Sequence, residues 1–394
     1  MSQRGFIYAA SLGVIILITI ASASLLIRGV SETSLSERSR NQSGALQLAE
    51  AGVDRAVFNL RTDNATLVSE TLPTGSFSLL SIAAEGADGR RVQVRGTDAS
   101  EQRSVEVIIR QIPASVFEFA LFGAQNLNVS GSAITDSYNS ENGVYDSNNH
   151  DHNGDVGTNA TTAGGVTVNG SIFIDGQVAV GPDVSDPTSV VTGYDPAFIT
   201  GGTSPASDTQ DVLSTSSTFP MTSVDLPPGI DPATQCPDTT IQGGTELELT
   251  PTGGPLSNGT YCYRNLTVQG NAKLTASGNV TVYLTGTLTA RGDSVIGNPL
   301  NPMAMAMLMV SNAQATLEEG TFTGSTQFYG GLYGPDATIT VQGNAEVFGS
   351  VVGKVVNVTG SAAIHYDEAM TQRNDISNLF KTSVVSWREL SPSS

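Results

Sequence analysis

Lysine is nearly absent from this chain, occurring only at positions 273, 354 and 381. Acidic side chains outnumber basic ones, 37 to 18, for a formal net charge of −19. So negative a surface repels phosphate backbones, which argues against nucleic acid as a partner. Cysteine is scarce too: with only Cys236 and Cys262, one disulfide is the most the chain can make, the alternative being two free thiols. With no histidine close to either, the pair does not read as a zinc site. Aromatic residues are few and charged ones sparse, whereas Gly, Ser, Thr, Asn and Val are plentiful. That balance suits many short strands joined by frequent turns, not a helical enzyme.

One long apolar run stands out at the start. Phe6 to Ile27 holds no charged residue and is bracketed by Arg4 and Arg28. As a helix it would extend about 33 Å, against about 30 Å for a hydrocarbon core. A secretory signal peptide fits poorly, because the run is too long and lacks an A-x-A-type site. Past Gly29 the polarity rises. Leu46, Ala49, Val53, Ala56, Val57 and Leu60 then recur at three- and four-residue steps, an amphipathic continuation ready to pack on a sheet.

The short leader Met-Ser-Gln-Arg-Gly, then Phe6 and the apolar run, resembles a type IV prepilin. With the LAEAG segment at 48–52, the first sixty residues are similar to PilX-type minor pilins. The resemblance implies cleavage by a prepilin peptidase between Gly5 and Phe6 and methylation of Phe6. It also implies partnership with other pilin subunits and the pilus assembly machinery. It departs from the major pilins at Ala10, where they carry glutamate, and that departure points to a minor, tip-located subunit. The expected localisation is single-pass in the inner membrane, held by Arg4 with the body periplasmic, and then on the pilus or cell surface. On that oxidising side Cys236 and Cys262 are expected to pair.

Eleven of the fifteen arginines precede Gln111, a first sign of a domain boundary. Strands are expected over 76–84, 91–96 and 104–112, where Val92, Val94, Val105, Val107 and Ile109 alternate with polar residues. From Phe117 a different pattern returns repeatedly: Leu127-Asn-Val-Ser-Gly131, Val166-Thr-Val-Asn-Gly170, Leu266-Thr-Val-Gln-Gly270, Ile339-Thr-Val-Gln-Gly343 and Val356-Asn-Val-Thr-Gly360. Short alternating strands closed by glycine, with no helical stretch between them, read as a β-solenoid whose levels stack to share a core.

The expected fold is therefore mainly β: a long N-terminal pilin-like and transmembrane helix, a small antiparallel sheet, then a right-handed parallel β-helix. An antiparallel sandwich is the alternative for the last part. The boundaries read as leader 1–5, helix 6–62, sheet module 63–113, solenoid 114–380 and C-terminal tail 381–394. A Pro/Ser/Thr-rich insertion at about 182–262 interrupts the solenoid, tied back by the two cysteines. From Phe117 onward, Tyr329-Gly-Gly-Leu-Tyr333 and His365-Tyr-Asp-Glu-Ala369 resemble a poorly characterised β-rich domain that follows PilX-type N-termini.

Few residues suggest chemistry. Asn149, Asp151, Asn153 and Asp155 match the opening of a calcium loop, but Ala160 stands where its bidentate glutamate belongs. A solvated Asx turn is the favoured reading and no cofactor is expected. His150 and His152 suit a transition metal, with no third ligand evident. Met303, Met305, Met307 and Met309 alternate with small residues and read as a buried strand, not a copper site. The function expected is a minor pilin-like structural subunit of a type IV pilus or pseudopilus, acting in assembly initiation or at the tip and exposing its β-solenoid, not an enzyme. The alternative is an adhesive β-helix protein binding surfaces or glycans, with a polysaccharide-active enzyme ranked below it.

Overall fold

The computed structural model describes residues 3–61, 64–86, 88–200, 211–311, 319–375 and 380–391. Side chains are described from Leu17 onward, except at positions 27, 113, 319 and 380. The chain forms two compact units, Met1–Pro113 with Phe380–Ser394, and Ala114–Leu379.

In the first unit, helix α1 (Gln3–Leu60) precedes strands β1 (Ser69–Leu72), β2 (Gly75–Glu85), β3 (Gly89–Asp98) and β4 (Glu101–Pro113). They form an antiparallel sheet in sequence order, and the C-terminal strand Phe380–Leu390 pairs with β4 as its fifth member. The segment read as a tail thus carries a strand of the first unit. Ala45, Leu48, Ala49, Val53, Ala56 and Leu60 of α1 are buried against Phe77, Leu79, Val92, Val94, Val105, Val107 and Ile109. The helix sits so close to the sheet that a Cβ on Gly96 would collide with the Ala45 carbonyl oxygen and the Ala49 nitrogen. Three arginines of this unit pair with glutamates: Arg91 with Glu85, Arg103 with Glu389 and Arg388 with Glu106.

The expected single-pass inner-membrane location is overturned. Among the described residues, no helix is long and apolar enough to cross a membrane. Only Leu17 to Leu26 of the apolar run have described side chains. Beyond Leu26 the helix turns polar at Ser31, Glu32 and Thr33. Gly5, Phe6 and Ala10 lie outside the residues with described side chains.

The second unit consists of parallel ladders. Thr239–Gln242 pairs with Leu266–Gly270, which pairs with Leu288–Gly292, and that strand with Glu319–Gly324. The ladder goes on through Gln327–Gly343 and Glu346–Gly360 to β5 (Leu121–Gly131), Val166–Gly170 and Val191–Thr192. One in-register column, Ile241, Val268, Ala290, Phe322, Val341, Val358, Val129 and Val168, is buried in the main core. The column beside it is Thr240, Thr267, Thr289, Thr321 and Thr340, then Asn357, Asn128 and Thr167. Those positions are half-buried or exposed. Glycines 270, 292, 324, 343, 360, 131 and 170 close the strands at φ between 72° and 118°. From Gly292 onward, a Cβ would meet the preceding glycine's backbone, so left-handed geometry and stacking both require glycine.

The order of this ladder differs from the order of the chain. The unit's first strand, β5, lies beside its last long strand, Glu346–Gly360. From β5 the levels run outward to Val191–Thr192, and the chain then travels to the opposite end of the ladder at Thr239–Gln242. The stretch read as an insertion is correspondingly narrower, because Val191–Thr192, Val212–Ser214, Thr239–Gln242, Glu246–Leu249 and Thr260–Tyr263 all pair in parallel. The Asn159 side chain fastens the returning segment through both the NH and the carbonyl of Phe219. Cys236 and Cys262 form a disulfide, Cα to Cα 4.7 Å, packed among Ile230, Leu256 and Tyr283. Met305–Met309 is buried on both faces. Met305, Met307 and Met309 face the main core, and Ala306 and Leu308 a second cluster with Phe117 and Val352.

Candidate functional site

The chain has three histidines, and all three meet at one place in the second unit. Strand β6 (Ile134–Tyr138) pairs in parallel with Ala363–Asp367, placing Asp136 beside His365. On the other side, Thr135 pairs with Ile174 and its carbonyl accepts from the NH of Asp175. His365, Asp136 and Asp175 are therefore successive levels of one column. Phe348 and Tyr329 continue it on the far side of His365, with rings stacked 4.5 Å apart at 8°.

Residues 139–155 fold over this column and carry Tyr145, His150 and His152. The loop is pinned by its own polar side chains. The Asn149 amide donates to the carbonyls of Asn139 and Gly143, and Asp146 Oδ1 accepts from the NH groups of Asn148 and Asn149. The Asn153 amide donates to Glu368, and Asp155 Oδ1 accepts from the Gln177 NH. Asp151 exchanges backbone hydrogen bonds with Ser137 and its carboxylate accepts from the His152 NH. Asn149, Asp151, Asn153 and Asp155 thus each have a separate structural task, and burial raises the Asp155 carboxyl above the ordinary carboxylate range.

At the centre stand two buried carboxylates. Asp136 Oδ1 is 2.6 Å from His365 Nδ1, and its Oδ2 accepts from the Tyr145 hydroxyl at 2.7 Å. The Tyr145 ring lies 3.9 Å from the His365 ring, centroid to centroid. Asp175 Oδ1 accepts from Thr200 Oγ1 at 2.8 Å, while its Oδ2 lies 2.7 Å from His152 Nδ1 and 3.9 Å from His150 Nε2. His150 Nε2 is also 3.5 Å from Asp136 Oδ2. The hydrogen bond to Asp175 raises the pKa of His152 and favours its protonated form. Burial, then the Asp136 hydrogen bond, pushes the Tyr145 hydroxyl well above the usual phenol range. Chemically, the arrangement sets two buried carboxylates against three imidazoles and a phenol.

Sequence reasoning reached His150, His152 and His365 separately but missed Asp136, Asp175 and Tyr145. The signal for Asp136 was its place in β6, level with His365 once the strands are stacked. Asp367, near His365 in sequence, points elsewhere: its Oδ1 accepts from the NH groups of Ser140 and Ala369. The Arg291-Gly292-Asp293 tripeptide is a strand end whose arginine donates to Gln269 one level away.

No curated protein matches this chain. Among solved structures, it is similar to the competence-associated pilin ComZ from Thermus thermophilus, at 12% identity and a TM-score of 0.28. That likeness covers 89% of this chain and 97% of the other. It is also similar to the DUF3494 domain of ice-binding protein 1 from Shewanella frigidimarina, at 14% identity and a TM-score of 0.29, over 65% of this chain and 98% of that one. Residues 238–373, from the far end of the ladder to just past the strand that holds His365, match the model of a family described as a domain of unknown function, DUF7305.

Proposed function

We propose that the chain is a pilin-like structural subunit of a type IV pilus or related filament. The observation that carries this reading is the division of α1. Its second half is packed on the sheet, but Leu17, Ile18, Ile20, Leu25 and Leu26 in the first half remain 59–70% exposed. An exposed apolar helical segment of that kind is stable in water only when covered, and the helix of a neighbouring subunit is its fitting cover. The finer assignment, a PilX-type minor subunit cut before Phe6 and placed at the tip, rests on the sequence resemblance and on Ala10. The second unit is read as a β-solenoid, supported by its in-register parallel ladders and inward apolar columns. No catalytic role belongs to this reading.

A Leu26→Cys variant tests it, since the two native cysteines are engaged with each other. Treatment of sheared filaments with a bis-maleimide should join this chain to another pilin subunit. Finding the variant only as uncrosslinked monomer, in cells that make filaments, would count against the assignment. Gold label on the second unit should mark filament ends, and label along the shaft removes the tip placement alone.

A second reading, an adhesive module for surfaces or glycans, is favoured by the column of threonines and asparagines at one outward position of successive levels. Spacing of about 4.8 Å between neighbouring levels makes it a regular array of hydroxyl and amide groups. Bulky replacements at Thr289 and Thr321 should abolish adherence to the recognised surface without lowering the melting temperature. Unchanged adherence removes this reading.

A further inference from the structure

We propose that His150, His152 and Asp175 form a binding site for a divalent transition metal of the zinc type, with a coordination position open to solvent. The three donor atoms, one from each side chain, lie within 4.8 Å of one another. Zinc bonds of 2.0–2.2 Å in tetrahedral geometry place neighbouring ligand atoms about 3.4 Å apart. The distances from Asp175 Oδ2 to the two imidazole nitrogens, 2.7 and 3.9 Å, bracket that value. Ring movements of about 0.7 Å for His152 and about 0.5 Å for His150 would bring both nitrogens to it, and two partly exposed histidines have that freedom.

The carboxylate is prepared for the role. Its side chain is only 6% exposed, and Thr200 holds Oδ1 so that Oδ2 faces the imidazoles. An outer hydrogen bond to a ligating carboxylate is the arrangement that orients metal ligands. Asp136 adds a second negative charge 3.5 Å from His150. It is already bound to Tyr145 and His365, which makes it an outer-shell group and leaves His365 out of the ligand set. The histidine side chains are 34% and 46% exposed, so the fourth position faces water or a ligand from outside. Two imidazoles and one carboxylate select zinc, copper or nickel over calcium, which takes six to eight oxygens. The ties of residues 139–155 to their own carbonyls and to Glu368 fix the loop before any ion arrives.

The proposal is independent of the filament reading and stands or falls in solution. Full-length protein without a polyhistidine tag, stripped with chelator, is titrated with zinc chloride by calorimetry and with cobalt chloride by visible absorption. One ion per chain is expected, with the intense absorption of low-coordinate cobalt. His150→Ala and His152→Ala should each weaken zinc binding at least tenfold. The double variant should abolish the rise in melting temperature that zinc gives the native chain. Its metal-free melting temperature should fall, because Asp175 loses the His152 hydrogen bond, so the zinc-dependent rise is read against each variant's own metal-free value. Asp175→Asn, which keeps the oxygen that meets Thr200, should weaken binding comparably. Absence of stoichiometric zinc binding overturns the site, as does binding that survives the double substitution. The carboxylates would then serve only as hydrogen-bond acceptors for the imidazoles.

Discussion

At the scale of single residues, the second unit contains one arginine whose charge is almost wholly withdrawn from water. Arg373 is paired with Asp375, their side chains 9% and 6% exposed, and its guanidinium also donates to the carbonyls of Met303 and Val280. Asp375 in turn accepts from Thr281. Removing one partner of such a pair leaves the other charge buried and alone, at a cost of about 3–5 kcal/mol. Arg373→Ala should therefore lower stability by that amount in a urea melt of the second unit. The double variant with Asp375→Asn should recover part of the loss. A change below about 1 kcal/mol for the single variant would show that the pair is solvated. Nothing in the sequence near Arg373 separates it from a surface arginine, because its carbonyl partners lie seventy and more residues away.

Among elements, legibility follows periodicity. Strands with one buried face announce themselves: Val92 and Val94, or Val341 and Val358, alternate with polar residues because only alternate positions meet the core. The N-terminal helix and antiparallel sheet are readable for the same reason. Strands buried on both faces or on neither give weaker signals, as Phe380–Leu390 shows with its mostly exposed side chains. The partners of the parallel strands are hidden by unequal spacing. From Ile241 through Val268, Ala290, Phe322 and Val341 to Val358, the steps are 27, 22, 32, 19 and 17 residues. A search at one fixed period misses such a stack, and with it the meeting of His365, Asp136 and Asp175. The helix–sheet contact offers a test at this scale. Gly96→Ala inserts a methyl group against the α1 backbone, so it should cost about 1–3 kcal/mol. Chemical denaturation monitored on the first unit reads this directly, and an unchanged midpoint would refute the close approach.

For the whole molecule, the decisive feature is a first unit assembled from both ends of the chain. Its fifth strand comes from Phe380–Leu390, so a chain truncated after Asp375 loses one ladder and uncovers the edge of β4. Such a truncation should lower the melting temperature of the first unit and promote association through the bared edge. The second unit, whose ladders and core among the described residues use none of those removed, should melt as before. Two calorimetric transitions, with only one displaced, are the expected record; displacement of both would show that the units fold as one.

That pairing also determines how a stretched molecule would respond. β4 and the C-terminal strand are joined directly by an antiparallel ladder, and everything from Ala114 to Leu379 is strung between them. Tension applied between α1 and the chain's end runs through hydrogen bonds of the first unit and leaves the second unit slack. The larger unit is thus cargo rather than a link in series, protected from mechanical unfolding until that ladder shears. Once it shears, the slack of the inserted unit would be released at a stroke, and the length gained would identify the event in a single-molecule trace.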